Sequence, residues 1–379
     1  MKCLHLCNDF LGSKVHQNLY EELSKIAIDQ TVFYPSRQDK QIIEKNLKFN
    51  FPYDIVISKP LKTYHKIFFR LKIKFLFREL IEEVSCGEFN LVHATTLFSD
   101  GALAYKIFKK YQIPYIVSVR ATDIEIFLKF RPDLLYLVLK IIDNASRIVF
   151  ISNSLQHKFF SHSKLKPYKS NYKNKCQVIY NGIDHFWIQH HQAKKNIIPN
   201  KIIYIGSLIN RKNSDKLVQT VTNLSKEFPE KKITITVIGD GPLKQDILKF
   251  QTAYPETVFY IDRIQEKIEL KKILRDHHIF AMPSNGETFG LVYLEALSQG
   301  LPIVGLKNEG IDGIFDKPVG IFAPDSSIDS ITLSILKAIE EYSNFDINEI
   351  HFERFNWATI AKIYSDLYKN TIDNALKFK

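Results

Sequence analysis

The 379-residue chain is poor in cysteine, glycine, proline, methionine and tryptophan, and it has no long apolar run. Its four cysteines, Cys3, Cys7, Cys86 and Cys176, are too few for a disulfide scaffold. Cys3 and Cys7 have no second Cys/His pair nearby, so a zinc site is not expected. Free thiols fit a reducing compartment, and a cytoplasmic protein is expected. With 14 Gly and 14 Pro, collagen-like and proline-rich chains are excluded. No window approaches the ~18 uninterrupted apolar residues of a membrane span. Residues Met1–Asp9 show neither an apolar core nor a small-residue cleavage site, so no secretory signal is expected.

What is present is an ordinary globular mix, 45% hydrophobic and 25% charged. At roughly 100–200 residues per domain, the length suggests two domains. The net charge is +11 and is unevenly placed. Residues 1–185 carry 28 Lys and Arg against 17 Asp and Glu, and the remainder is neutral. A positive first half attracts phosphates, anionic lipid or nucleic acid.

Short β-rich runs alternate with helix-length segments. Strands are expected at Lys2–Leu6, Thr31–Tyr34, Asp54–Ile57, Asn90–His93, Pro114–Val119 and Arg147–Ile151. Helices are expected between them at His16–Ala27, Thr63–Val84, Ser99–Tyr111 and Pro132–Asp143. The alternation restarts after the polar, His-rich stretch Asn181–Asn200. Strands follow at Lys201–Ile205, Ile233–Ile238, Val258–Ile261, His278–Met282, Pro302–Val304 and Gly320–Ala323. Such alternation predicts βαβ units and parallel sheets, hence two doubly wound α/β domains in tandem. Open sheets of this kind bind ligands at the carboxyl ends of their strands. The domains are expected at 1–183 and 184–356, with a last helix in 357–379 crossing back onto the first.

Several strand ends carry chemistry. Gly239-Asp240-Gly241-Pro242 is a glycine turn between a strand and a helix, where backbone N–H groups can meet an anion. Gly206-Ser207 followed by Arg211-Lys212 puts two cations just past a strand, able to clamp a diphosphate. Ser284 to Glu295 is the richest segment. Glu287 stands in a polar loop, Phe289-Gly290-Leu291 opens a helix, and Glu295 lies five residues into it. Carboxylates so placed accept hydrogen bonds from vicinal hydroxyls, and the helix start favours a phosphate. No Asp-x-Asp pair occurs in the chain, so no metal is expected at a diphosphate. In the first half, Gly12 follows the first strand, His93 ends another, and Arg120 and Asp123 follow a third.

Residues 59–78 contain seven Lys and Arg and no acid. One continuous helical wheel gathers Leu61, Tyr64, Phe68, Leu71 and Phe75 on one face and Lys62, Lys66, Arg70 and Lys74 roughly opposite. That pattern predicts a basic amphipathic helix for an anionic membrane surface.

In this order the segments resemble the retaining, nucleotide-sugar-dependent glycosyltransferases of family 4, which have the GT-B fold. Ile179-Tyr180-Asn181-Gly182-Ile183-Asp184 looks like the family's N-G-[IV]-D junction. Tyr204–Leu208 with Lys212 looks like its G-R-L…K-G loop, and Val237–Pro242 like its G-x-G-P turn. Pro283-Ser284, Glu287-Thr288-Phe289-Gly290 and Glu295-Ala296 match its P-S…E-x-F-G…E-A signature. The resemblance implies two Rossmann-like domains facing a cleft, the first for the acceptor and the second for the donor. It implies a catalytic set of Glu287, Lys212, Arg120 and His93. It implies donor contacts at Gly12, Gly206, Ser207, Arg211, Lys212, Gly239, Gly241, Ser284, Glu287, Phe289, Gly290, Leu291 and Glu295. Asp123 is the acceptor candidate. Two positions depart from the family pattern: Ser207 stands where the family has Arg, and Arg120 where it often has His.

The function implied is metal-independent, retaining transfer of a hexosyl unit. The donor would be a nucleotide-sugar, UDP- ahead of GDP-. The acceptor would be a surface polysaccharide or lipid-linked saccharide, and the protein would sit in the cytoplasm on the inner face of the membrane. The alternatives are a nucleotide-sugar epimerase of the same fold and a basic nucleic-acid-binding protein. The first is disfavoured by the paired Glu287 and Glu295, and the second by the lack of a recognition motif.

Overall fold

The structure, a computed structural model, describes residues 1–46 and 51–377. The chain divides into two compact units. Unit 1 is Met1–Ile151, Leu155–Gly182 and Trp357–Lys379, and unit 2 is Ser152–Ser154 with Ile183–Asn356.

Unit 1 holds β1 (Lys2–Leu6), β2 (Asp29–Tyr34), β3 (Asp54–Ile57), β4 (Leu91–Ala94), β5 (Tyr115–Val119), β6 (Arg147–Phe150) and β7 (Cys176–Val178). They form one parallel sheet in the order β3-β2-β1-β4-β5-β6-β7. Unit 2 holds β8 (Lys201–Ile205), β9 (Thr234–Ile238), β10 (Val258–Ile261), β11 (Ile279–Ala281), β12 (Ile303–Leu306) and β13 (Gly320–Ala323). Its parallel order is β10-β9-β8-β11-β12-β13. Both are doubly wound Rossmann-like sheets whose order reverses once, between β1 and β4 and between β8 and β11. The central strands are covered on both faces, which is why Tyr115–Val119 is buried at every position.

The helix Trp357–Lys377 belongs to unit 1 and packs on the helix Lys14–Lys25. Phe378 and Lys379, at the end of the helix expected in 357–379, lie outside the described residues. Its buried stripe includes Trp357, Ile360, Ala361, Tyr364, Leu367 and Tyr368, a 3.6-residue period. Trp357 lies against Gly182, where a Cβ would come within 2.6 Å of the indole. The glycine of the Asn-Gly junction is therefore needed to let the ring dock.

Residues 59–78 fold differently from the expected single helix. Thr63–Lys66 is one 3₁₀ turn, Phe68 is non-helical, and a new helix runs Phe69–Glu83. One wheel cannot span that break. The new helix buries Phe69, Ile73, Leu76 and Leu80, and Phe69 meets the Phe127 ring 5.9 Å away. Tyr64, Ile67, Phe68 and Leu71 are left exposed instead, among exposed Lys62, Lys66, Arg70 and Lys74. Among the described residues, no helix is long and apolar enough to cross a membrane.

Candidate active site

In unit 2 the strand order reverses between β8 and β11, so the loops that leave their carboxyl ends lie side by side. The β8 loop carries Gly206 to Asn213, and the β11 loop carries Met282 to Gly290. They are stitched together. Asn285 N donates to Arg211 O at 2.8 Å, and Asn213 Nδ2 donates to Pro283 O at 2.7 Å. Asn213 holds its left-handed conformation, φ 52°, at this join. Topology thus brings together Lys212 and Glu287, 75 residues apart, as an ion pair. Both side chains are largely shielded, at 13% and 11% exposure, so the pair is a partly desolvated one. Thr288 N donates to the Glu287 carboxylate at 3.2 Å, and Gly310 N to its main-chain oxygen at 2.8 Å. Arg211 is exposed, with its guanidinium 3.4 Å from the carbonyls of Asn285 and Gly286.

The expected glycine turn has a packing reason of its own. A Cβ on Gly239 would stand 1.9 Å from Gly206 O, and one on Gly241 2.6 Å from Leu208 O. The two loop backbones touch and bond there, with Gly206 N to Ile238 O at 3.0 Å and Leu208 N to Asp240 O at 2.9 Å. Gly239 and Gly241 therefore hold the Gly206–Leu208 loop in place. Ser207 is exposed, and its carbonyl accepts from the Tyr204 hydroxyl at 2.9 Å. Ser284 is fully buried at the foot of the β11 loop.

Gly290, at φ 76°, starts the helix Leu291–Ser298. A left-handed start needs glycine, and a Cβ would meet the Tyr293 ring at 2.5 Å. The side chain of Phe289, one of the donor contacts the resemblance implies, is 1% exposed and anchors the loop from beneath, which leaves its main chain for any such contact. Leu291 is half-buried at the helix start. Glu295, one turn further on, is half-buried beside Asp184, Lys267 and Trp187. Burial pushes its carboxyl up to about 7, and the charge of Asp184 adds to the rise; Lys267 and a bond from Trp187 oppose it. Asp184 caps the helix His185–Gln189, accepting from Phe186 N at 3.0 Å, and pairs with Lys267. Sequence reasoning missed Lys267 and Trp187. Nothing local marks them, since both reach Glu295 only through the fold.

In unit 1 the sequence candidates separate. His93 is 2% exposed; its Nδ1 pairs with the Tyr368 hydroxyl at 2.7 Å and its Nε2 with Ser118 Oγ at 3.0 Å. Burial lowers its pKa well below the usual value, so the ring is neutral. With both nitrogens spent, His93 joins the sheet to the helix Trp357–Lys377 rather than facing a substrate. Asp123 is 1% exposed and accepts from Leu97 N at 3.1 Å, Phe98 N at 3.2 Å and Arg120 N at 2.8 Å. It organises the loop after β4 and has no free edge for an acceptor. Burial raises its carboxyl to about 6. Arg120 donates through Nε to Thr95 O at 3.1 Å, and its charge reaches Asp9. Gly12 is exposed in the loop after β1 and donates to Asp9 O at 3.1 Å. Among the described residues, no group of three or more His, Cys, Asp or Glu could hold a metal ion.

Comparison with known proteins agrees with this architecture. Residues 13–185 match the family model described as Glycosyltransferase Family 4, and residues 199–341 that described as Glycosyl transferases group 1. The chain is 29% identical over 214 residues to the O-antigen biosynthesis glycosyltransferase WclY of Escherichia coli, covering 53% of this chain and 58% of WclY. The match thus spans little more than half the length of that relative. It is 22% identical over 294 residues to the uncharacterized glycosyltransferase MJ1178 of Methanocaldococcus jannaschii, covering 73% of this chain and 76% of that one. The crystal structure of Anabaena Alr3699/HepE, in complex with UDP and glucose, superposes with a TM-score of 0.66 at 16% identity. It covers 98% of this chain and 100% of HepE, a likeness of fold. With one family model on each half of the chain and two Rossmann-like units of the matching kind, the protein belongs to glycosyltransferase family 4 and has the GT-B fold.

Proposed function

We propose that the protein transfers a hexosyl unit from a nucleotide-sugar, UDP- ahead of GDP-, to a surface polysaccharide or lipid-linked saccharide. The observation that carries this reading is the Lys212–Glu287 pair at the point of strand reversal in unit 2, beside the start of the helix Leu291–Ser298. Lys212 supplies a shielded cation for the donor diphosphate, and Glu287 fixes its position. The helix start adds backbone N–H groups and a favourable dipole. Glu295 takes the ribose hydroxyls.

In the reaction the bond from the anomeric carbon to the diphosphate oxygen breaks, and a bond to an acceptor hydroxyl oxygen forms. The acceptor proton passes to the departing phosphate oxygen. Charge developing on the leaving group is met by preorganised donors, a large term in such sites. Lys212, Arg211 and the N–H groups provide it, so no metal is invoked. The Glu287 carboxylate is already engaged by Lys212 and Thr288 N, which disfavours a covalent glycosyl-enzyme and favours front-face displacement with retention. The relative WclY is named for O-antigen biosynthesis, and HepE was solved with UDP and glucose. Both support the polymer acceptor and the UDP donor.

An anionic membrane is the proposed workplace. Exposed Tyr64, Ile67, Phe68 and Leu71 stand among exposed Lys62, Lys66, Arg70 and Lys74, apolar groups for the acyl boundary beside cations for the headgroups. Calorimetric titration with UDP, GDP and ADP, with and without magnesium, tests the donor assignment. Metal-independent binding of UDP is expected; binding of none of the three would overturn it.

A further inference from the structure

Unit 1 contains a cavity of about 490 Å³ at the carboxyl ends of β1 and β2, closed on one side by the helix Phe69–Glu83. Asn8, Ser36, Gln38 and Ser99 give it neutral polar groups, and Arg37 and Lys72 give it charge. Among the described residues, no Asp or Glu lines it. Lys72 is half-buried, and its Nζ donates to Ser99 Oγ at 2.7 Å, which uses one of its three donors. Arg37 is exposed at the rim. Burial lowers the Lys72 ammonium to about 8; Asp100 opposes this, and Arg37 and Arg131 lower it further. Asp100 stands behind the wall, with no exposure. Its Oδ2 accepts from Thr95 Oγ1 and Thr96 Oγ1, each at 3.0 Å, with Asn8 N 3.5 Å away, while its Oδ1 is buried without a hydrogen-bond partner. The cavity therefore presents charge of one sign, next to hydroxyl and amide groups suited to saccharide hydroxyls.

We infer that this cavity binds an anionic group, phosphate or carboxylate, carried by the saccharide acceptor, with Arg37 and Lys72 as its cations. The inference rests on the glycosyl-transfer reading and narrows its acceptor to an acidic one. Ser99, whose hydroxyl only accepts from Lys72, and Asn8 supply the hydrogen bonds around the anion; the Ser36 hydroxyl is already given to Gln38 O. An anion placed between two like charges removes their mutual repulsion, and charge-assisted hydrogen bonds to guanidinium and ammonium are the strong kind.

The test uses the full chain saturated with UDP, so that the unit 2 phosphate site is filled. Methyl α-glucoside, glucose 6-phosphate and glucuronate are then titrated calorimetrically. One of the two acidic sugars is expected to bind at least about tenfold more tightly than the neutral one. Preference for the phosphate assigns a phosphorylated acceptor, and preference for glucuronate a uronate-bearing one. Arg37→Ala changes a surface side chain and is expected to weaken acidic-sugar binding about tenfold while UDP affinity stays unchanged. Lys72→Met should do the same. Equal affinity for all three sugars, no sugar binding at all, or acidic-sugar binding untouched by Arg37→Ala would each overturn the inference. If UDP itself does not bind, the donor reading fails, and the sugar titrations without UDP still decide the cavity.

Discussion

Replacing Glu295 with glutamine isolates the energetic effect of burying a carboxyl beside another acid. The unfolded chain releases this proton near 4.5, whereas the folded protein holds it until about 7. Between those values the folded state binds more protons, so stability falls as pH rises through the window and the loss is complete above 7. The separation corresponds to a penalty of about 3 kcal/mol at pH 8, and of under about 1 kcal/mol at pH 5. A glutamine at this position would stay neutral throughout. Glu295→Gln is therefore expected to stabilise the protein by about 3 kcal/mol at pH 8 and by little at pH 5, read by urea unfolding. Asp100 and Asp123 are raised to about 7 and about 6, so they titrate in the same range. The quantity to compare is thus variant minus wild type at each pH. A difference equal at both pH values would refute the burial argument. The same ionisation bears on the ribose role, since only the carboxylate accepts through both of its oxygens, and with full negative charge. UDP affinity of the wild type should rise about tenfold from pH 6 to 8 relative to the glutamine variant, which also removes the titration of UDP's own phosphate. Parallel profiles would refute that role.

Lys212→Ala should weaken UDP binding by more than about tenfold and cost about 1–3 kcal/mol of stability, because Glu287 is left shielded without its cation. Unchanged UDP affinity would remove Lys212 from the donor site. Gly182→Ala drives a Cβ to within 2.6 Å of the Trp357 ring and should cost about 1–3 kcal/mol, visible as a lowered Tm. Reversing the charge of Lys62, Lys66, Arg70 and Lys74 should release the protein from anionic vesicles, at about 1 kcal/mol per cation. Ile67→Ser with Phe68→Ser should weaken the same binding, and co-sedimentation that neither change affects would exclude the patch.

The strands were legible almost residue for residue. Lys2–Leu6, Asp54–Ile57, Lys201–Ile205, Val258–Ile261 and Gly320–Ala323 fall where the sequence puts them, because each is a strand-length run set between helix-length segments, whether in the middle of its sheet or at its edge. The edge strand Cys176–Val178 was not legible, because three half-buried residues make no pattern. The helix expected over Thr63–Val84 failed for a local reason. Its apolar residues satisfy two different wheels, and only the break at Phe68 separates the exposed set from the core set. At the site, the segments holding Lys212 and Glu287 were visible as motifs, and their pairing follows from strand order. His93 and Asp123 were placed at strand ends correctly but misread in what they do. The partner of His93, Tyr368, lies 275 residues away; the apolar period of its helix marks the face that is buried but not the sheet residue that face meets. Asp123 is consumed by backbone donors of a loop 25 residues earlier, which composition cannot reveal.

The helix Trp357–Lys377 gives unit 1 a timing problem during synthesis. Tyr20, Leu23, Leu91 and Ile116 share a hydrophobic cluster with Trp357, Ile360, Tyr364 and Tyr368. A ribosome that has finished residue 182 has made the whole seven-stranded sheet of unit 1 but not its cover. Unit 2 must be translated first, which at 5–20 residues per second takes roughly 10–35 s. During that interval an apolar face beside β1 and β4 is open to solvent, and the imidazole of His93 lacks its tyrosine partner. The nascent first half is then a natural client for a holdase, and the release of its covered form waits on the arrival of Trp357 at Gly182.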